Sequence, residues 1–363
     1  MLNLNELISK YGREWEIRGE YECGGSFFKP AYKRAFPITQ RENLRRVLEH
    51  DRVNKPMYMP TGSDCQCFSA SLVPDSVARV WCLEMDPPPL ESSVNPDMFG
   101  VEWEFIPVAQ GAMVRPGKPL VPDINHWEDY VKFPDLDSWD WEASAEKNAP
   151  MFHPDRMNRI WILTGLNERL ISFMDFDKTM LAYVDEEQQE AVHRLYDRLC
   201  DFYDDLIGRF RKYYHADILM FNDDWGTQRA PQFSADTCRE MIAPYIKRLV
   251  DSCHRRGMYF ELHCCGRNHL LAPVMAECGV DYWHPQEIND LPLLFDLVGR
   301  DMVLGMAPET SPDMSEEECL AAVEAFVRRY GFDAVATTDQ NKPPHPRTLE
   351  FVYYASREIF AEM

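Results

Sequence analysis

The chain has 363 residues, 45% of them hydrophobic and 27% charged, with a formal charge of −22 at pH 7. That charge argues against a nucleic-acid binder, which needs a positive footprint for phosphate, and against docking on anionic lipid. No apolar run is long enough to span a bilayer. The eleven cysteines are scattered over a large chain, unlike a small secreted disulfide framework. The first ten residues lack the basic-then-apolar layout of a signal peptide, so reduced thiols in a cytoplasmic protein are expected.

Residues 1–36 are mixed and aromatic-rich, and are expected to form an N-terminal extension packed on the main domain. Leu44, Val47 and Leu48 recur at helical spacing among charges, which predicts a surface helix over 39–49. Pro56-Met-Tyr-Met-Pro60 reads as a short strand. The loop after it carries Cys65-Gln-Cys67, read as plain loop thiols in preference to a metal pair. Residues 76–158 hold Trp81, Trp103, Trp127, Trp139 and Trp141 with the Pro87–Pro89 run, and read as an irregular insert. Within it, 101–107 alternates like an antiparallel hairpin. The tryptophans are taken as anchors of the insert rather than walls of a pocket for an aromatic substrate.

From residue 159 the pattern is regular. Arg159–Gly165 is a buried strand ending in a turn, and Asp185-Glu-Glu-Gln188 has capping-box spacing. Val192, Leu195, Tyr196, Leu199, Leu206, Ile207 and Phe210 then form the stripe of a long helix. A strand over 217–221 follows, then a helix opened by Ser234 or Asp236 and stopped at Arg255-Arg-Gly257. Strands over 258–262, 280–283, 302–304 and 334–337 alternate with helices over 267–278, 290–299, 315–330 and 346–360. The helix at 315 has a second capping box, Ser315-Glu-Glu-Glu318. Alternating strands and helices imply parallel βαβ units. With the strands at 56 and 159 they approach eight, which predicts an α/β fold, a single (β/α)8 TIM barrel over 1–363 with the 76–158 insert near its mouth.

In such a barrel the chemistry sits at the C-terminal strand ends. Here those ends carry Asp223-Asp224-Trp225 with Gln228, His263-Cys264-Cys265, Pro285-Gln286 and Asp339-Gln340. His263 and Cys265, two apart in extended backbone, point to one side, and an imidazole with a thiol starts a zinc site. Cys264 points the other way, as a core thiol. Asp223 and Asp224 read as catalytic in slight preference to a turn or helix-capping device.

Asn222-Asp-Asp-Trp-Gly-Thr-Gln228, Pro244-Tyr245, His263-Cys-Cys-Gly266, Cys278-Gly-Val-Asp281 and Pro285-Gln286 together resemble the uroporphyrinogen decarboxylase superfamily. They look most like its cobalamin-dependent methyltransferase branch, which includes the methyltransferases of anaerobic O-demethylation and of methanol or methylamine metabolism. The resemblance covers most of 37–360, is strongest over 217–290 and is weak in the insert. It implies a (β/α)8 barrel with zinc held by a His-x-Cys pair and a later ligand, commonly a cysteine before a Pro-rich turn. His263 and Cys265 fit the pair. The later position here is Asp339, a departure from the pattern, with Glu261 as the alternative third ligand and Cys65, Cys67 or His345 as others that could reach in. The basic, Gly-containing N-terminal motif of the porphyrinogen decarboxylases has no counterpart at 15–40, so haem synthesis is not expected.

A methyl group on oxygen, nitrogen or sulfur leaves a basic atom behind, so its transfer calls for a strong nucleophile or activation of the leaving atom. The expected function is zinc-dependent methyl transfer between a small methylated substrate and cobalamin. No Asp-x-His-x-x-Gly motif occurs, so the corrinoid is expected on a partner protein. Asp223 or Asp224 would serve as acid or base. Trp225, Gln228 and Gln286 would contact substrate. A barrel lyase or decarboxylase of a non-porphyrin acid, and a non-catalytic corrinoid- or ligand-binding barrel, are the competing readings.

Overall fold

Seven short apolar runs form one parallel sheet in the computed structural model, which describes residues 2–22, 31–84, 93–108, 111–338 and 342–363. The strands are β1 (Cys65–Phe68), β2 (Met157–Ile162), β3 (Ile218–Asn222), β4 (Tyr259–His263), β5 (Tyr282–Trp283), β6 (Val303–Met306) and β7 (Ala334–Ala336). Each pairs with its neighbour in chain order, so every connection turns the same way and the sheet curls on itself. Its two edges meet at Thr61, just before β1, which bridges in parallel to Ala336 on β7. There Ala336 N donates to Pro60 O at 2.8 Å. The fold is α/β and TIM-barrel-like.

The expected strand over 56–60 is not a strand. Pro56 and Pro60 lack N–H groups, and Asn43 takes the backbone between them, accepting from Met57 N at 2.8 Å and donating to Tyr58 O at 2.9 Å. The strand that enters the sheet is β1, so Cys65 and Cys67 are strand residues, not loop thiols. The described residues therefore give seven barrel strands and a single-bridge seam in place of eight full strands.

The principal helices are α1 (Leu4–Trp15), α2 (Gln40–Leu48), α3 (Leu166–Met174), α4 (Gln189–Tyr214), α5 (Ala243–Arg255), α6 (Glu316–Tyr330) and α7 (Thr348–Glu362). Leu44, Val47 and Leu48 of α2 pack on Cys65, Met157, Ile218, Val303 and Val335, closing one end of the barrel. The predicted stripe of α4 is wholly buried from Val192 to Phe210. Asp185 is no capping box for it: its carboxylate accepts from Glu187 N and the Gln188 side chain in a turn that precedes the helix. The helix expected from Ser234 is two pieces, because Pro244 opens a new helix after a break at Ile242. Ser315 and Glu318 do form their reciprocal box.

The extension lays α1 on α7, with Lys10 and Tyr11 on Glu358, and Glu14 on Tyr353 and Arg357. In the insert, residues 102–106 are the middle strand of a three-stranded antiparallel sheet. A wholly buried Arg169 on α3 holds this insert through ion pairs to Asp75 and Asp97, and Asp97 also accepts from Trp103 Nε1 at 2.9 Å. Trp103, Trp127 and Trp141 are buried anchors. No described helix is long and apolar enough to cross a membrane.

Candidate active site

Strands β3 and β4 are paired in register, with Asn222 opposite His263, so the residues that follow each strand emerge side by side. Asp223 N continues the ladder by donating to His263 O at 2.9 Å. The next residue, Asp224, turns its carboxylate to the neighbouring loop, where Oδ1 accepts from Cys265 N at 2.7 Å. Cys265 Sγ lies 3.4 Å from His263 Nε2. One carboxylate oxygen, one imidazole nitrogen and one sulfur, from Asp224, His263 and Cys265, all fall within 4.8 Å of one another. Each residue is half-buried.

Burial sets the charge state of this cluster. It pushes His263 down to about 4, opposed by Glu168 and helped by the guanidinium groups of Arg79 and Arg159, so the imidazole is neutral. It raises the Cys265 thiol, with Asp224 and Glu168 adding to the effect. It also raises Asp224, against the Cys265 N–H and Arg79. Burial thus opposes the charged form of all three groups, and a cation taking these donors would offset that penalty. Imidazole, thiol and carboxylate are zinc's usual donors, and three of them leave a fourth position open.

Four further groups surround the cluster, and sequence reasoning passed over all of them. Glu168 stands in the first turn of α3 and accepts from the Asn222 side chain at 3.3 Å; burial raises its carboxyl. Arg79 comes from the insert, stacks over Trp103 at 4.4 Å and pairs with Glu168 at 3.5 Å. His284 follows β5; burial first, then His263 and Arg159, holds it at about 4. Gly305 makes room for it, since a Cβ there would lie 2.8 Å from the His284 ring. Arg159 reaches from β2 into the barrel and binds both oxygens of Glu261, at 3.1 and 2.9 Å. His284 was within reach, as it directly precedes Pro285-Gln286 at a strand end. Arg79 was not, because no local pattern ties the insert to the barrel mouth.

The residues singled out from sequence divide. Asp224, His263 and Cys265 converge. Asp223 is wholly buried and accepts from Asn167 N (3.2 Å), Glu168 N (2.9 Å) and Trp225 Nε1 (2.8 Å), which makes it the cap of α3. Trp225 is also wholly buried, its backbone N donating to Cys264 Sγ at 3.3 Å. Gln286 uses Oε1 to accept from Gly266 N at 2.8 Å, fixing the His-Cys-Cys-Gly loop. Gln228 is exposed on the loop after β3. Glu261 is held by Arg159, and His345 accepts from Arg347 N; neither joins the three-residue cluster, nor do Cys65 and Cys67. Asp339 lies outside the described residues. Cys264 is buried, as read from strand alternation.

Two glycines let the loops meet. Gly266 has φ +94°, and a Cβ on it would stand 2.3 Å from the carbonyl carbon of Gly226. A Cβ on Gly226 would stand 2.5 Å from the Asn268 side chain. Backbone-to-backbone contact of this kind needs glycine on both sides, and it draws Asp224 up to Cys265.

Residues 170–334 match the family model described as uroporphyrinogen decarboxylase (URO-D). No curated protein matches the chain. Among solved structures, a methyltransferase from Methanosarcina mazei is similar with a TM-score of 0.52 and 14% identity, covering 89% of this chain and 99% of that one. At that identity the likeness shows the fold alone. A D-psicose 3-epimerase from Clostridium cellulolyticum H10 has a TM-score of 0.33 at 10% identity, over 61% of this chain and 82% of that one. A sugar phosphate isomerase/epimerase from Parabacteroides distasonis ATCC 8503 has 0.32 at 12%, over 62% and 80%. The resemblance to the uroporphyrinogen decarboxylase superfamily, first carried by the strand-end motifs, is shown by the family match over residues 170–334 on a TIM-barrel-like fold.

Proposed function

We propose that the protein is a methyltransferase that moves a methyl group between a small O-, N- or S-methylated substrate and a corrinoid carried by a separate protein, with zinc held by Asp224, His263 and Cys265. The observation that carries this reading is the meeting of three different donor atoms within 4.8 Å at adjacent strand ends. The description of the Methanosarcina mazei neighbour as a methyltransferase points the same way. Asp224 takes the third-ligand place that the family pattern would give to position 339. Zinc bound there would act as a Lewis acid on the methyl-bearing atom or hold a thiol substrate as its thiolate.

The chain's own groups supply the rest. Glu168, whose carboxyl burial raises against the pull of Arg79, stands beside the cluster as the acid for the basic atom that loses the methyl group. Arg79 sets the position of that carboxylate and shifts the local field as the proton leaves. Neutral His263 and His284 leave the pocket without added positive charge of their own. Asp223, Trp225 and Gln286 act as positioning residues through α3 and the His263–Gly266 loop, and Gln228 is a proposed substrate contact from an exposed loop. The reading takes the chain as one barrel domain with an extension (1–36) and an insert (76–158).

The test is anaerobic transfer from methyl ethers, methylamines and methyl thiols to cob(I)alamin, followed by the absorbance of methylcobalamin. Zinc-loaded wild type should turn over at least one class, and Asp224→Ala should lose about 100-fold or more. No transfer from any class, or full activity in Asp224→Ala, would contradict the reading.

A further inference from the structure

Cys65 and Cys67, two apart on β1, both line a cavity of about 630 Å³ beside the barrel seam. Trp15, Arg34, Asp64, Arg159 and Thr338 also line it. The position follows from the fold: among the described residues the sheet edges meet there through the Thr61–Ala336 bridge, and Trp15 and Arg34 of the extension line the cavity. Cys67 Sγ is 2.6 Å from Arg159 Nη2 and 3.2 Å from Arg159 Nε. A guanidinium has donors only, so the sulfur accepts from both arms of the fork. The Cys65 thiol, on the same side of the strand, donates to Gly62 O at 3.8 Å. Two guanidinium donors on one sulfur make the environment of a thiolate, and a neutral thiol would waste its proton there.

The remaining charges around it are few. Arg156 adds a positive field from the start of β2, Glu261 a negative one through Arg159, and the Tyr282 hydroxyl stays protonated nearby. Asp64 is occupied by Tyr58 and Thr61. The net effect, led by the neighbouring Cys65 thiol and aided by Arg159 against burial, brings Cys67 down to about 5. Burial raises the thiols of Cys82, Cys200, Cys238, Cys253, Cys264, Cys265, Cys278 and Cys319.

We propose that Cys67 is a standing thiolate and the seam cavity a modification site, where small electrophiles alkylate it and peroxide oxidises it. In the oxidation the Cys67 sulfur attacks one peroxide oxygen and the O–O bond breaks. Sulfur loses two electrons to the peroxide, giving Cys67 sulfenic acid and, after protonation, water. The product removes the anion opposite Arg159, leaving that cation paired with Glu261 alone, beneath the candidate active site.

The test is limiting iodoacetamide on the full chain across pH, read by peptide mass spectrometry. At about pH 6.5, Cys67 should label at least about tenfold faster than any other cysteine. Arg159→Met should slow that labelling and move its pH profile to higher pH, with the circular dichroism spectrum unchanged. Should that variant not fold, Arg159→Lys, which loses the two-armed fork, provides the second arm, with slowed labelling expected. Peroxide should give a Cys67 sulfenic acid trapped by dimedone, and in excess a sulfinic product about 32 Da heavier, at Cys67 before any other cysteine. Labelling of Cys67 no faster than of Cys265, or peroxide products at another cysteine first, would overturn the proposal.

Discussion

Replacing Asp223 by alanine deprives two backbone amides and an indole N–H of their acceptor, all in a wholly buried position. An unpartnered buried donor costs about 1–3 kcal/mol. Three of them, with some relaxation of the α3 N-terminus, put the loss near 4 kcal/mol by that rule. The neighbouring Asp224→Ala strands one N–H, that of Cys265 in a half-buried loop, and should cost about 1 kcal/mol. Urea unfolding after chelation measures both.

The pH dependence adds a second arm. Burial outweighs the three donors and pushes Asp223 up to about 7 from an ordinary 3.8. Between those values the folded state keeps a proton that the unfolded chain has released, so the contribution of Asp223 falls as pH rises and levels off above about 7. Asp223→Asn cannot ionise. The stability of wild type relative to this variant should therefore decline from pH 4 towards pH 7, by at most about 1.4 kcal/mol per unit. Equal losses in the two alanine variants would refute the assignment of Asp223 to structure and Asp224 to the site. A pH-independent difference between wild type and Asp223→Asn would refute the electrostatic argument.

Two further outcomes follow from packing. Gly266→Ala forces a side chain onto φ +94° and into the Gly226 backbone, so zinc affinity should fall about tenfold or more by calorimetric titration, even though no donor atom is removed. Arg169→Met leaves Asp75 and Asp97 buried without their cation, which should cost about 3–5 kcal/mol in urea unfolding; Asp75→Asn combined with Asp97→Asn in that background should recover part of the loss.

Much of the barrel was legible because its parallel strands are buried runs separated by amphipathic helices. Those from Met157 onward fall within two or three residues of their expected positions. The first strand was misplaced for a physical reason. Pro56–Pro60 has the apolar content of a strand but lacks two N–H groups, while Cys-Gln-Cys-Phe has no repeat long enough to announce one. The site was half legible. Strand alternation placed His263 beside Cys265 and turned Cys264 inward. What it could not separate was Asp223 from Asp224, since two consecutive carboxylates differ only in which neighbours they meet, the N-terminus of α3 in one case and the Cys265 loop in the other. Arg79, Arg169 and the pairing of Arg159 with Cys67 are contacts between distant segments, and no local periodicity encodes them.

Metal content tests the central claim most directly. Chelator-free wild type, Asp224→Ala, His263→Ala and Cys265→Ala would be purified side by side and analysed by inductively coupled plasma mass spectrometry, with circular dichroism to confirm folding. The account predicts about one zinc per wild-type chain, with loss of it in all three folded variants. A wild type that holds no zinc and cannot be reconstituted with it, or zinc retained in full by the folded Asp224→Ala and His263→Ala variants, would contradict it.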